Sequence, residues 1–182
     1  MAKAKSSSAY KGTVTIKVKN KNKIKKTIKG KNTGTPLLFR SIAVALAGYN
    51  VGIGIPTYMA VTTTDSQDET KPNYSDCSIP VSVTGRSYGQ DNSGDWFCRV
   101  TATIPKANFR NWADNSSYYA LLLNGNTSGI SETTNVLAYI QLVQKETGET
   151  IDLKQMSDGS SLVIEWDLYV QNYEVVKSRM GE

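Results

Sequence analysis

Six segments of this chain are typical of β-strands, and those at residues 95–105 and 161–172 alternate apolar and polar residues with a period of two. The segments lie between stretches rich in Gly, Asn, Asp, Ser and Pro, at residues 56–64, 79–89, 95–105, 118–125, 136–144 and 161–172. A period of two places successive side chains on opposite faces of a strand, so it predicts half-buried antiparallel strands. With a hairpin near the N-terminus the count reaches about eight strands. The sequence therefore predicts a mainly β fold, an antiparallel β-sandwich or jelly roll.

The alternation also assigns faces in two of these segments. In 95–105 the inward set is Trp96, Cys98, Val100, Ala102 and Ile104, and the outward set is Phe97, Arg99, Thr101 and Thr103. In 161–172 the inward set is Leu162, Ile164, Trp166, Leu168 and Val170, and the outward set is Glu165, Asp167 and Tyr169. The predicted core accordingly includes Trp96, Val100, Ile104, Ile140, Leu162, Ile164 and Trp166.

One helix is predicted near residues 36–47. Thr35 suits the N-cap, Pro36 suits the first helical position, where no amide hydrogen is needed, and Gly48 can close the C-terminus. Between them only Arg40 and Ser41 are polar. A helix that is apolar nearly all round is expected to be buried, against the sheet or another subunit.

Charge divides the chain into a basic arm, residues 1–31, and a mildly acidic body, residues 32–182. The arm holds 11 of the 21 Lys and Arg and no Asp or Glu, which leaves 10 basic and 16 acidic residues in the body. Such asymmetry indicates an electrostatic partner for the arm, either nucleic acid or an acidic protein surface. Residues 1–10, rich in Ser, Ala and Lys, are expected to form a flexible extension.

Within the arm, the sequence TVTIKVKNKNKIKKTIKG predicts a β-hairpin that turns at residues 20–22. Its apolar face would hold Val14, Ile16, Val18, Ile24 and Ile28, which can pack on the body or on a partner. Its other face would hold Lys17, Lys19, Lys23, Lys25 and Lys29. Like charges across a strand pair destabilise it, so this face favours a negative partner. The alternative is an edge whose lysines only prevent aggregation.

Several classes of function are disfavoured by composition. The chain has no His, which removes imidazole bases, Ser/His and Cys/His pairs and His-ligated metals. The richest apolar run, LLFRSIAVALAG, is shorter than the ~18 residues of a membrane span, and no signal peptide is legible. We therefore expect a non-enzymatic protein made in a cytoplasm, with reduced Cys77 and Cys98, no cofactor and no membrane partner.

The segments NTGTPLLFRSIAVALAGYN, VTATIP and SLVIEWDLYVQN, together with the Lys-rich hairpin, resemble small virion structural proteins of tailed bacteriophages. Similar chains include head decoration, head-fibre and neck or tail attachment proteins, crAss-like phages among their sources. The resemblance spans most of the chain and implies a component of the virion, made in the host bacterial cytoplasm. Its partners would be capsid, neck or tail subunits. The division of charge then predicts that residues 1–31 anchor the protein and that the body after about residue 55 points away from the particle.

Three other candidate sites have less support in the sequence than the basic arm. Glu165 and Asp167 lie about 7 Å apart on one strand face, a separation compatible with a glycosidase pair, but any solvent face offers it and Arg99 or Arg86 could neutralise them. The acidic loop at Asp65, Asp68 and Glu69 could bind calcium, although it lacks the pattern of an EF-hand. A sugar-binding surface, as in an adhesin, could comprise Tyr88, Trp96, Trp112, Tyr118 and Tyr119, unless these are core residues.

Two further expectations concern binding. Eleven lysines could contact phosphates, but the arm has no Arg for reading bases and only Tyr10 for stacking, so nucleic-acid binding would be nonspecific. A homo-oligomer, such as a trimer, would multiply weak docking contacts and would cover the apolar helix.

Overall fold

The computed structural model describes residues 10–48, 55–68, 70–113, 117–125, 129–144 and 147–170. These residues form two antiparallel five-stranded sheets and one α-helix, α1 (Pro36–Leu46). The arrangement confirms the predicted mainly β class, a β-sandwich with a single short helix. Of the predicted flexible extension only Tyr10 lies within the described residues, and residues 171–172 of the last predicted strand lie outside them.

Twelve strands are described. In chain order they are β1 (Tyr10–Asn20), β2 (Lys23–Lys31), β3 (Thr33–Gly34), β4 (Tyr58–Thr63), β5 (Val81–Ser82), β6 (Gly85–Gln90), β7 (Trp96–Pro105), β8 (Tyr118–Leu123), β9 (Val136–Gln141), β10 (Val143–Gln144), β11 (Glu149–Thr150) and β12 (Ser160–Val170). Eight of them have six or more residues, and these match the hairpin and the six predicted segments.

The order of strands in the first sheet is β2-β1-β12-β7-β6, and in the second sheet it is β3-β9-β8-β4-β5. The chain passes from the second sheet to the first at residues 83–84. There the Val83 amide donates to the Thr57 carbonyl at 2.9 Å, and the Thr84 amide donates to the Thr101 carbonyl at 2.8 Å. This crossing fixes how the two sheets are aligned along their strands.

The lysine hairpin, β1 and β2, is an integral part of the first sheet. β1 pairs with β12 over its whole length, from Tyr10 opposite Val170 to Asn20 opposite Ser160. The hairpin that precedes the predicted boundary at residue 31 is therefore paired with the last described strand of the body. The reason is that β12 needs a neighbour on each side, and β1 satisfies the backbone groups on the side that β7 leaves open.

The main core lies between the two sheets and draws on both. From the first sheet come the alternate residues Val14, Ile16, Val18, Ile28, Val100, Ala102, Ile104, Leu162, Ile164 and Trp166. From the second sheet come Met59, Val61, Tyr118, Ala120, Leu122, Ala138 and Ile140. Six of the seven predicted core residues are therefore buried as expected. The exception is Trp96.

A smaller apolar cluster covers the outer face of the second sheet. It contains Ala60, Cys77, Tyr119, Leu121, Leu123 and Val136, and Tyr74 and Ile130 from the neighbouring loops pack against it. All six residues of β8 are consequently buried. The second sheet is covered on both faces, whereas the outer face of the first sheet carries most of its charges.

The helix α1 ends one residue before the predicted boundary but is only half buried. Leu37, Leu38 and Ser41 face the protein, whereas Phe39 and Ile42 are 46% and 37% exposed. The prediction of a helix buried all round is wrong within this chain, because α1 lies at the edge of the second sheet, next to β9. Thr35 holds the N-cap position, but its hydroxyl donates to the Val136 carbonyl at 2.5 Å and does not cap the helix. Gly48 has a φ of 78°, as expected of a residue that follows a helix C-terminus.

The strands of the first sheet extend beyond the end of the second sheet. β1, β7 and β12 have 10 or 11 residues, whereas β4, β8 and β9 have six. The second sheet ends at Tyr58, near the level of Thr101, so the inner face of the first sheet continues past it as an overhang formed by Tyr88, Gln90, Trp96, Cys98 and Leu168.

Trp96 and Cys98, which were predicted to be buried, lie on this overhang and are exposed; Trp96 is 51% exposed. Their side chains point to the predicted face of the strand. No layer of the second sheet covers them there, so the alternation gives the correct face but not the correct burial.

Candidate functional site

The candidate site is the surface of the lysine hairpin, which lies at one edge of the first sheet. Between residues 17 and 31 the hairpin has eight lysines and no Asp or Glu. β2, the edge strand, carries five of them in nine residues. An edge strand exposes one row of backbone N–H and C=O groups, and lysines along it prevent uncontrolled pairing with other strands. The same row and charges can hold an acidic partner.

A register shift in the hairpin changes which lysines share a face. Val18 lies opposite Lys26 and Lys19 lies opposite Ile24, so Lys25 is the additional residue of a β-bulge. Beyond the bulge the alternation is inverted, and Ile24 shares the outer face with Lys19. Its side chain is 54% exposed, so its predicted position on the apolar face is wrong.

The five lysines predicted to crowd one face therefore divide into two groups. Lys17, Lys19 and Lys29 lie on the outer face of the first sheet. Lys23 and Lys25 are displaced toward the turn and the edge by the bulge, and both are exposed. The structure thus gives a basic surface that continues from the outer face around the sheet edge.

The three apolar residues predicted to help anchor a partner are not available to one. Val14, Ile16 and Val18 are 1%, 0% and 8% exposed and belong to the main core. The hairpin buries its apolar face against the second sheet of its own chain. A partner can reach its lysines, its turn, the exposed Ile24 side chain and the outer backbone groups of β2.

Two hairpin lysines contact carboxylates of the same chain. The Nζ of Lys17 lies 2.5 Å from the Oε1 of Glu165, and the Nζ of Lys26 lies 3.4 Å from the Oε1 of Glu149. Lys26 also donates to the Thr150 carbonyl at 2.6 Å. These contacts connect the hairpin to β12 and to the β10–β11 hairpin. Even with both pairs, positive charge remains in excess along residues 17–31.

A groove separates the lysine hairpin from the segment after β11. Its volume is about 420 Å³, and Lys25, Lys26, Asp152, Gln155 and Ser157 are among the residues that line it. The Nδ2 of Asn20 donates to the Ser157 hydroxyl at 2.6 Å at its end. The groove gives the basic edge a recess with lysines on one wall and hydrogen-bonding groups on the other.

The carboxylates weighed as a glycosidase pair are both engaged in ion pairs. Arg99 donates to Asp167 in a bidentate arrangement, with Nε–Oδ1 and Nη2–Oδ2 distances of 2.6 and 2.7 Å. This hydrogen bonding raises the pKa of Arg99, and Glu165 is paired with Lys17. The Arg99 guanidinium also lies 5.3 Å from the centre of the Phe97 ring. This arrangement matches the alternative in which the carboxylates form part of a charged outer face.

The acidic loop uses its carboxylates to stabilise turns. The Oδ1 of Asp65 accepts from the Gln67 amide at 2.8 Å, and the Oδ1 of Asp68 accepts from the Thr70 amide at 3.0 Å. The hydrogen bonds from Thr70 lower the pKa of Asp68. Glu69 lies outside the described residues. Across the part of the chain that the structure describes, no cluster of three or more His, Cys, Asp and Glu side chains is arranged to hold a metal ion.

The five aromatic residues considered as a sugar-binding surface do not form one surface. Trp112, Tyr118 and Tyr119 are buried, as the core alternative expected. Tyr88 and Trp96 are exposed on the overhang, with ring centroids 6.4 Å apart. Of the proposed surface, only this pair of rings is accessible.

The two cysteines differ in surroundings. Cys77 is buried beneath the outer face of the second sheet, and this burial raises the pKa of its thiol to about 11. Cys98 is exposed on the overhang, where partial burial also raises the pKa of its thiol, Arg86 acting in the opposite direction. A reactive thiolate needs a lowered pKa, so neither site has the electrostatics of an activated nucleophile.

No family model, no curated protein and no solved structure matches this chain. Among the described residues, no helix is both long and apolar enough to cross a lipid bilayer.

Proposed function

We propose that this chain is a non-enzymatic structural component of a phage particle and that it docks through its lysine hairpin on an acidic surface of the capsid, neck or tail. The observation that carries this proposal is the concentration of positive charge on β2, which no other described strand pairs with on its outer side. Beside an acidic protein surface, these lysines contribute attraction, and the outer backbone groups of β2 can pair with an extended segment.

The resemblance to small virion proteins of tailed phages supports the particle as the location. The mode of attachment differs from a detachable arm, because the hairpin shares the core of the fold. The whole sandwich would attach by one edge, with the opposite edge and the overhang pointing away. Attachment that depends on exposed lysines should weaken as salt screens them.

Nonspecific nucleic-acid binding is the second candidate function, because the same lysines would attract phosphates. It differs from the first in where the protein is found. A virion component remains with particles through density-gradient purification, whereas a nucleic-acid-binding protein of the host cytoplasm does not. Gradient-purified particles from a lysate that contains the chain should therefore carry it. Its absence from them would overturn the proposal.

Two matched variants test the lysine hairpin directly. The first combines Lys23→Gln, Lys25→Gln and Lys29→Gln, and its control combines Arg40→Gln, Lys71→Gln and Lys106→Gln, which removes the same charge outside the hairpin and its groove. At ~0.5 kcal/mol per lysine, the first variant should bind particles about tenfold more weakly. The control should bind as the wild type does. Equal loss in both variants would mean that net charge, and not this surface, drives attachment.

The same pair separates the two partner classes. Immobilised poly-L-glutamate and mixed-sequence duplex DNA serve as probes in binding measurements over a range of salt concentrations. If the hairpin docks on proteins, the hairpin variant should bind both poly-L-glutamate and particles more weakly than the control variant does. Binding to DNA alone, with none to particles, would favour the second candidate function.

A further inference from the structure

The edge of the first sheet opposite the lysine hairpin is formed by β6. Among the described residues, no strand pairs with its outer side. β6 has the sequence GRSYGQ, with one charged residue and no Lys or Pro, and its pairing with β7 contains no register shift. Natural proteins usually protect an edge strand by charge, Pro or a bulge, and β6 has little of this protection. It is therefore suited to pair with another strand.

Exposed apolar side chains lie next to this edge. Tyr88, in the middle of β6, is 82% exposed, and Trp96, at the start of β7, is 51% exposed. Their rings are tilted by 31°, with centroids 6.4 Å apart, and Cys98 lies opposite Tyr88 in the β6–β7 pairing. Aromatic side chains of this size contribute most of their binding energy when a partner removes them from water.

The charges at the two ends of β6 are complementary. Arg86 lies near its start, and Asp91 follows its last residue, Gln90. When two antiparallel copies of such a strand pair, the basic end of each lies beside the acidic end of the other. A parallel copy would instead place like charges together. The two ends of the edge thus carry opposite charge, and its backbone groups are self-complementary in an antiparallel pair.

We propose that β6 is a two-fold contact between two copies of this chain, paired antiparallel around Tyr88. In this register Tyr88 lies opposite the partner's Tyr88, and Arg86 lies opposite the partner's Gln90. The two first sheets become one continuous sheet of ten strands, with a lysine hairpin at each outer end. The overhangs of the two copies lie on the same side, where Tyr88 and Trp96 are partly covered.

With this contact, the expected homo-oligomer is a two-fold dimer or is built from such dimers. A trimer requires a different surface, because an isologous edge contact closes after two subunits. The inference goes beyond the proposed docking function and does not depend on it. The lysine hairpin and β6 lie at opposite edges, so a failure of either one leaves the other testable.

The first experiment measures mass in solution by light scattering coupled to size exclusion. The wild-type chain should elute with about twice its mass of 19.9 kDa. The variant Tyr88→Lys places two ammonium groups opposite each other at the centre of the contact, so it should elute as a monomer that still unfolds cooperatively. The control is Ile79→Lys, which alters another exposed apolar residue, 62% exposed, outside β6. It should remain dimeric.

Disulfide crosslinking tests the register in a Cys98→Ser background. Tyr88→Cys should form a crosslinked dimer under mild oxidation, because residues opposite each other in antiparallel strands have Cα atoms about 4.5–5.5 Å apart, within disulfide range. Gln90→Cys should not, because its two copies would lie about 13 Å apart in this register.

Three results would overturn the proposal. One is a wild-type chain that remains monomeric at every concentration. This result would overturn the proposal whether or not another part of the chain covers β6. Another is a Tyr88→Lys variant that stays dimeric. The third is a Gln90→Cys variant that crosslinks as readily as Tyr88→Cys.

Discussion

The two edge strands of the first sheet, β2 and β6, solve the problem of an open edge in opposite ways. β2 carries five lysines in nine residues and a bulge at Lys25, and both features discourage pairing with a neutral or basic strand. β6 carries one charged residue in six and pairs regularly with β7. The same backbone hydrogen-bonding groups are thus directed toward different partners by side chains alone. We expect the first edge to select an acidic surface and the second a copy of itself.

The largest expected effect is on the free energy of unfolding, and it comes from the middle of the first sheet, which connects both edges. Trp166 lies on β12 in the middle of the first sheet and is 0% exposed. Trp166→Ala should lower the free energy of unfolding by ~3–5 kcal/mol, as large-to-small core substitutions do. The control, Trp96→Ala, removes a half-exposed indole from the overhang beside β6 and should cost under ~1 kcal/mol in the monomer. Denaturant unfolding measures both. A similar loss in the two variants would show that the overhang is covered as the core is.

An intermediate effect on the free energy of unfolding tests the β-bulge in β2. Ile28 is 1% exposed, whereas Ile24 lies beyond the bulge and is 54% exposed. Ile28→Ala should therefore cost ~2–4 kcal/mol, and Ile24→Ala should stay within about 0.5 kcal/mol of the wild type. Both substitutions keep every lysine, so binding to an acidic probe should be retained below the unfolding transition. If Ile24→Ala cost as much as Ile28→Ala, the bulge would not exist in solution.

The smallest expected effect lies in the turn of the lysine hairpin. Lys21 has a φ of 52°, a left-handed conformation that non-glycine residues adopt at a cost. Lys21→Gly should therefore raise the free energy of unfolding by about 0.5 kcal/mol, after allowance for the greater freedom of glycine in the unfolded chain. Asn22→Gly is the control, because Asn22 does not share this conformation and should lose a few tenths of a kcal/mol. Thermal unfolding shows whether each variant is more or less stable than the wild type. A destabilising Lys21→Gly would contradict the left-handed conformation of Lys21 in the turn.

Much of the fold could be predicted from local pattern. Residues typical of strands, bounded by turn-rich stretches, located all eight long strands, and the period of two identified Val100, Ile104, Ile164 and Trp166 as buried. Thr35, Pro36 and Gly48 marked the limits of α1 to within one residue. These features depend on backbone geometry and on which face a side chain takes, and both are properties of a few consecutive residues.

The errors arose where burial depends on distant segments. Trp96 follows the same alternation as Val100, but the second sheet ends before reaching it. Ile24 follows the same alternation as Ile28, but a bulge between them inverts the face. The exposed half of α1 likewise reflects its place at the edge of a sheet. The sequence of a single strand does not show how far the opposite sheet extends over it, or where a β-bulge shifts its pairing by one residue.

The candidate site divides in the same way. Its lysines are evident in the sequence, because an excess of 11 basic residues over no acidic ones in residues 1–31 is a matter of composition. Their grouping is a matter of pairing: the register of β1 with β2 places Lys17, Lys19 and Lys29 on one face and displaces Lys23 and Lys25. The ion pairs of Lys17 with Glu165 and of Arg99 with Asp167 join residues far apart along the chain.

The sequence by itself determined the β class, the position of the helix and the basic hairpin, because hydrophobic period, capping residues and charge act over a few residues. The tertiary structure decided that the hairpin is part of the sandwich, that Val14, Ile16 and Val18 belong to its core, and that β2 and β6 are the two edges of the first sheet. The physical reason is that strand order comes from backbone hydrogen bonds between distant segments. These bonds are the same for every sequence, so only the packing of the whole chain selects among the possible neighbours.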